Sequence, residues 1–259
     1  MKKICIVLLF LVQPFFAADL LALNMGEAIN IAGRQRMLSQ RIAQSYLLIG
    51  ITPKSERGAT LLNRSIIEFE RNLRDLNEFS PARSLAEDLN LVTGHWLEYK
   101  KIVMGAVTKE NAKSMLELSD RVLSAAHTYV GKLNRLAGTK TAEIIDISGK
   151  QRMLSQRIAK NYLAEYWSIL GQTGQSQYYE DLAEYENTLE YLKTSDVNTQ
   201  LINKKLLKVT GHFSYASKGF DGVMRLSGDR LIYVITGTTD SMLKYMNALT
   251  VMYAALLDS

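Results

Sequence analysis

The 259-residue chain has one cysteine, three prolines and three histidines. The single cysteine, Cys5, excludes a disulfide scaffold, a zinc ribbon and a cysteine–histidine catalytic pair with any downstream thiol. The prolines stand at 14, 53 and 81, so 82–259 is free of the residue that breaks helices and sheet ladders. Strand punctuation by Gly and Pro is sparse, and a mostly helical protein is the economical expectation. No second histidine or carboxylate stands at metal-ligand spacing from His95 or His212, so no metal and no cofactor is expected. Acid–base, nucleophile–base and phosphate-loop signatures are missing as well, which argues against an enzyme. The net charge of +5 is spread along the chain and not gathered into a stripe, so no nucleic-acid partner is expected.

What the chain has begins with an address. Lys2 and Lys3 precede an apolar run from Ile4 to Phe16, followed by Ala17-Ala18-Asp19. A basic start, a short apolar centre and small residues before a charge describe a secretory signal peptide over 1–18. The run is too short for a spanning helix, which needs about 20 apolar residues. Cleavage there removes the only cysteine, and the expected home is the periplasm, with no membrane span left.

The chain then contains itself twice. Ile31-Ala-Gly-Arg-Gln-Arg-Met-Leu-Ser-Gln-Arg-Ile-Ala43 returns 116 residues later as Ile147-Ser-Gly-Lys-Gln-Arg-Met-Leu-Ser-Gln-Arg-Ile-Ala159, differing at two positions only. Glu70, Leu73 and Leu76 answer Glu186, Leu189 and Leu192, and Val92-Thr-Gly-His-Trp96 answers Val209-Thr-Gly-His-Phe213. A near-constant offset over this length marks a duplicated domain, 19–138 and 139–259. Each copy reads as four helices joined by short loops. In copy one the breaks fall at Gly50 to Pro53, with Thr52 as N-cap, at Ser80-Pro81, and at Gly105 to Thr108. In copy two they fall at Gly171 to Gly174, Thr194 to Asp196 and Ser217 to Gly228. Gly138 stops the fourth helix of copy one, with Thr141 as the next cap. The expected fold is all-α: two tandem up-down-up-down four-helix bundles, pseudo-twofold related and side by side, because Gly138 and two Thr are poor helix continuers.

On a helical wheel, Ile29, Gly33, Arg36, Gln40, Ala43 and Leu47 form one stripe, and Ile145, Gly149, Arg152, Gln156, Ala159 and Leu163 repeat it. Arg34 and Arg41 fall well away from it. A glycine inside a helix costs about 1 kcal/mol relative to alanine, so its repetition suggests a use. An arginine in such a seam needs a carboxylate or an anion, and its planar fork suits a flat oxyanion. The plainer account pairs Arg36 and Arg152 with Glu70 and Glu186. Met37, Met153, Tyr46 and Tyr162 read as core, His95 and His212 as packed, hydrogen-bonded histidines, and His127 carries no assignment.

The segments Asn30 to Ile42 and Asp146 to Ile158 resemble the first-helix signature of PilJ-type sensor domains, the helical bundles of type IV pilus chemotaxis transducers, which are similar to the nitrate-sensor domains of NarX and NarQ. The resemblance implies a sensory protein in which two first helices meet in parallel and the arginine of Gly-x-x-Arg-Met holds a small anion. Carried to this chain, the implied ligand residues are Arg36, Arg152, Gly33 and Gly149, with nitrate or nitrite the first expectation. It further implies a membrane-bound sensor or chemoreceptor partner. The competing expectation is a helical adaptor of the envelope that binds no small molecule.

Overall fold

The computed structural model describes residues 23–53, 55–170, 173–220 and 228–257, all of whose regular elements are helical. The proposed leader, and with it Cys5, lies outside the described residues. Copy one contributes α1 (Met25–Ile51), α2 (Glu56–Glu78), α3 (Ala86–Val103) and α4 (Lys109–Ala137), and copy two α5 (Lys140–Tyr166), α6 (Thr173–Lys193), α7 (Gln200–Phe220) and α8 (Asp229–Leu257). The chain is therefore two tandem four-helix bundles, as the repeat predicts.

The helix ends differ in detail from the expected ones. Asn24 caps α1 in a reciprocal capping box with Glu27. Thr52 closes α1 instead of opening α2, whose cap is Ser55. Ser80 and Pro81 open a 3₁₀ turn, Ser80–Leu85, which leads into α3 without a side-chain cap. Gly138, at φ 64°, ends α4, and Thr139, not Thr141, caps α5 through Ala142 N–H. A polar loop offers several Ser and Thr within a turn of one another, and backbone geometry decides which one caps.

The two copies lie side by side through α1 and α5. Gly33 faces Gly149, the Arg41 guanidinium reaches Gln156 Oε1 at 3.2 Å, and Gly50 lies under the Trp167 ring. Each pair advances in the same direction along both helices, so α1 and α5 run parallel about a pseudo-twofold axis. Both pack on α4 and α8 as well as on their own bundles. This surrounds them, and burial extends beyond the expected stripe to Gln35, Ser39, Gln44 and Ser45 in α1, with Gln151, Ser155 and Asn161 in α5.

Buried polar groups need partners, because an unpaired one costs about 1–3 kcal/mol. Gln35 Nε2 donates to the Phe69 carbonyl on α2, and Gln151 Nε2 to the equivalent Tyr185 carbonyl on α6. Gln40 and Gln156 donate to Ser119 and Thr239 carbonyls on α4 and α8. Phe69 stacks on Trp96 at 4.2 Å between ring centroids, and Tyr185 on Phe213 at 5.1 Å. Those stacks explain why the Val-Thr-Gly-His-aromatic island recurs. The preceding histidines sit at the half-buried edge of α3 and α7, where His212 stacks on Tyr245. Met37, Met153 and Tyr46 are core, and Tyr162 is half-buried beside Tyr166.

Two kinds of glycine are separable by experiment. A methyl group on Gly94 or Gly211 meets no atom within 4 Å, whereas one on Gly50 would lie 2.2 Å from the Trp167 ring. Gly94→Ala and Gly211→Ala each raise stability by about 0.5–1 kcal/mol through helix propensity. Gly50→Ala lowers it by about 1–3 kcal/mol through the clash with Trp167. Urea denaturation of the three variants checks the contrast.

Candidate functional site

Where α1 and α5 cross, Gly33 and Gly149 bring the two backbones together: a methyl on Gly33 would lie 3.9 Å from Gly149 Cα. Over this crossing lie the heads of Arg36 and Arg152. Their Nη2 atoms are 3.3 and 3.2 Å from the position of a Gly33 methyl, and 3.1 and 3.3 Å from that of a Gly149 methyl. Both guanidinium groups therefore rest on the same pair of glycines, and side chains there would displace them. The four residues that the sequence singled out converge on one place.

Each arginine leans back toward the N-terminus of the opposite first helix, as helical side chains do. Arg36 Nη2 donates to the Asp146 carbonyl at 3.1 Å and pairs with Asp146 Oδ1 at 2.6 Å, while Nη1 meets His127 Nδ1 at 3.2 Å. Arg152 Nη2 donates to the Asn30 carbonyl at 3.0 Å, and Nη1 to Asn30 Oδ1 at 2.8 Å and Asn247 Oδ1 at 2.9 Å. The two arrangements are pseudo-symmetric: Asn30 answers Asp146 at the repeat offset, and Asn247 occupies on α8 the place of His127 on α4. The glutamates expected as partners are elsewhere. Glu70 pairs with Lys100 on α3, and Glu186 is exposed.

The charges are not symmetric. Arg36 has a carboxylate; Arg152, equally buried, has only neutral acceptors, and among the described residues no acidic group lies within ion-pairing distance of it. Burial, and then the charges of Arg34 and Arg36, push Arg152 well below the usual arginine range, with Glu68 opposing. A guanidinium keeps its proton at neutral pH, so this shift marks a buried positive charge that its surroundings under-compensate. The Nε atoms of both arginines are buried without a hydrogen-bond partner among the described residues. Arg34 and Arg41, off the stripe, are neutralised by Glu68 and Asp240, and Lys150 pairs with Glu184.

Two clefts each include one of the arginines' partners in their lining. One, of about 340 Å³, is lined by Arg41, Arg64, Glu68, Asp240, Lys244 and Asn247. The other, of about 270 Å³, includes Asp120, His127, Lys150, Arg157 and Glu184. The first carries three cations against two carboxylates, and the second two against two.

The family model of the N-terminal region of type IV pili methyl-accepting chemotaxis transducers, PilJ, matches residues 22–123 and 138–220. The chain belongs to the PilJ family. No curated protein and no solved structure matches it. A PilJ assignment makes both bundles sensory-domain modules of the chemotaxis-transducer type. No helix among the described residues of this PilJ chain is long and apolar enough to cross a membrane.

Asn30, Asp146, His127 and Asn247 complete the PilJ crossing, and the sequence reading had assigned none of them a role. Asn30 and Asp146 stand inside the repeated signature, where their difference was a visible signal. His127 and Asn247 are related by an offset of 120 and differ in type, so the 116-residue repeat does not align them.

His127 gives a pH signature. Partial burial and the Arg36 charge lower its pKa below the usual histidine value; Asp146 and Glu184 oppose this, and Lys150 adds to it. Its Nδ1 faces an N–H donor, so protonation sets two donors against each other. The folded protein then binds fewer protons than the unfolded chain, and the stability contributed by neutral His127 is full above about pH 6.5 and lost as pH falls through the lowered value. Wild type therefore loses stability relative to His127→Asn between about pH 7.5 and 5, measurable as the difference between their denaturation midpoints.

Proposed function

We propose that this PilJ protein is a periplasmic, non-catalytic sensory protein that binds one small oxyanion, nitrate or nitrite first, between Arg36 and Arg152. In this reading residues 1–18 are a removed leader, and the copies at 19–138 and 139–259 act as the two halves of a fused dimer. The observation that carries it is Arg152: a fully buried guanidinium with neutral acceptors only, set against a second guanidinium over two glycines. A trigonal oxyanion presents oxygens in the plane that two arginine forks favour, and it supplies the missing negative charge. The more cationic cleft, which has the Arg152 partner Asn247 in its lining, favours entry from that side.

Binding would draw the Arg152 fork away from Asn30 and Asn247, which tie α5 to α1 and α8. The ligand thus acts on the contact between the copies, and a membrane-bound chemoreceptor would read the altered helix packing. A second reading, a helical adaptor without a small ligand, draws on the same bonds: Arg36–Asp146 and Arg152–Asn30 already cross-link the copies.

Calorimetric titration of the leaderless protein with nitrate and nitrite, with chloride as control, separates the two. The receptor predicts saturable binding of about one anion per chain, lost in Arg36→Ala/Arg152→Ala. It also predicts a stabilisation of about 3 kcal/mol when the anion stands at a hundred times its Kd. Absence of heat and of thermal stabilisation with either oxyanion favours the adaptor.

A further inference from the structure

Asn30 and Asp146 meet the arginine of the other copy through the same two groups, a backbone carbonyl and Oδ1. Each carbonyl accepts from Nη2, at 3.0 and 3.1 Å; Asn30 Oδ1 accepts from Arg152 Nη1 at 2.8 Å, whereas Asp146 Oδ1 is ion-paired with Arg36 Nη2 at 2.6 Å. The two side chains have nearly the same shape, one a neutral amide with an N–H donor and the other a carboxylate. At this pseudo-symmetric crossing, the substitution of carboxylate for amide is thus a change of one charge with little change of packing.

From this the geometry points to Asp146 as a tethered internal anion that sets the charge of the ligand the crossing accepts. The inference rests on the anion-binding reading above and refines it. Two guanidinium charges and one carboxylate leave the crossing one positive charge in excess. A monoanion such as nitrate neutralises it. A dianion such as sulfate would leave a net negative charge in a site with little water, where uncompensated charge is expensive. Asp146 also competes for Arg36, so the incoming anion finds its free fork at Arg152. A homodimer would carry the same residue on both sides and have either two internal carboxylates or none; the duplicated chain carries one.

The test uses two reciprocal changes, each installing the residue that the other copy carries. Asp146→Asn raises the excess to two charges. Nitrate should bind about tenfold tighter or more, given the strength of a unit charge at this range, and sulfate should bind where wild type takes none. Asn30→Asp gives Arg152 its own carboxylate and removes the excess; nitrate binding should be lost, while the melting temperature in anion-free buffer stays equal or rises. Calorimetry with sodium nitrate and sodium sulfate, beside circular-dichroism melts, reads both variants. The inference is overturned if wild type binds sulfate as well as nitrate, or if folded Asp146→Asn binds both anions as wild type does. Retained nitrate binding in Asn30→Asp overturns it too, and that variant serves should Asp146→Asn not fold. In those outcomes wild type still binds nitrate, and the anion-binding reading stands. Silence from wild type and Asp146→Asn toward both anions removes the two together.

Discussion

The structure depends on the close approach of α1 and α5 at Gly33 and Gly149. A methyl at either glycine would stand at ordinary contact distance from the facing Cα but would crowd both guanidinium groups at 3.1–3.3 Å. The approach makes α1 and α5 central helices, enclosed by their own bundles, by each other and by α4 and α8. Enclosure then explains why the repeated segment is almost identical in both copies while the rest has diverged. Gly33 faces α5, Gln35 bonds a carbonyl on α2, Arg36 reaches α5 and α4, and Gln40 bonds a carbonyl on α4. Each position serves a different neighbour, and none is left free to vary as a solvated face would be.

Burying a guanidinium is unfavourable unless it is paired and hydrogen-bonded, and removing one partner of such a pair typically costs about 3–5 kcal/mol. Copy one meets the requirement for Arg36 with Asp146, drawn from the other copy. Copy two meets the hydrogen-bonding half of it for Arg152, through Asn30 and Asn247, and leaves the charge. Joining both copies in one polypeptide makes this inequality available, since the two sides of a crossing can then change separately. The asymmetry is chemical more than architectural: helices and glycines agree between the halves, and each arginine donates through Nη2 to a backbone carbonyl of the opposite first helix.

Much of the fold was legible from residue types. The duplication, four helices per copy and the turn at Gly138 follow from repeated motifs and from where Gly, Pro and Ser/Thr fall. Spacing puts Gly33 with Arg36, and Gly149 with Arg152, on one helical stripe each, while the meeting of the two stripes was legible through the resemblance to PilJ-type sensor domains. What lay beyond the sequence was the company they keep. A wheel assigns one buried face, whereas α1 is buried on nearly every side, a consequence of the second copy docking on the first. Glu70 and Glu186 are the plainer expected partners, yet Glu70 pairs with Lys100 on α3, and each arginine takes one partner from the opposite first helix and one from the last helix of its own copy. His127 was invisible as a site residue because α4 and α8 are shifted in the repeat and carry different residues there. Caps such as Ser55 and Thr139 lie two or three residues from the expected ones, since neighbouring hydroxyls compete and the backbone chooses.

Two close contacts along the α1–α5 seam constrain how the seam can move. One is the Gly33–Gly149 crossing; the other is Gly50 under Trp167, 17 residues further along α1, roughly 25 Å at helical rise. Between them Arg41 of α1 ties to Gln156 of α5 and Asp240 of α8. A group entering at the arginines acts near the N-terminal end of the seam, while the aromatic ring holds the other end against bare backbone. Separation at one end with the other held is a change of crossing angle and not a slide. Packed interfaces respond between discrete arrangements instead of deforming continuously. In the anion-binding reading, occupancy at Arg36 and Arg152 would be coupled most directly to the Asn24 cap and to the turn at Gly138, where the first helices begin. The crossing would report on its contents there.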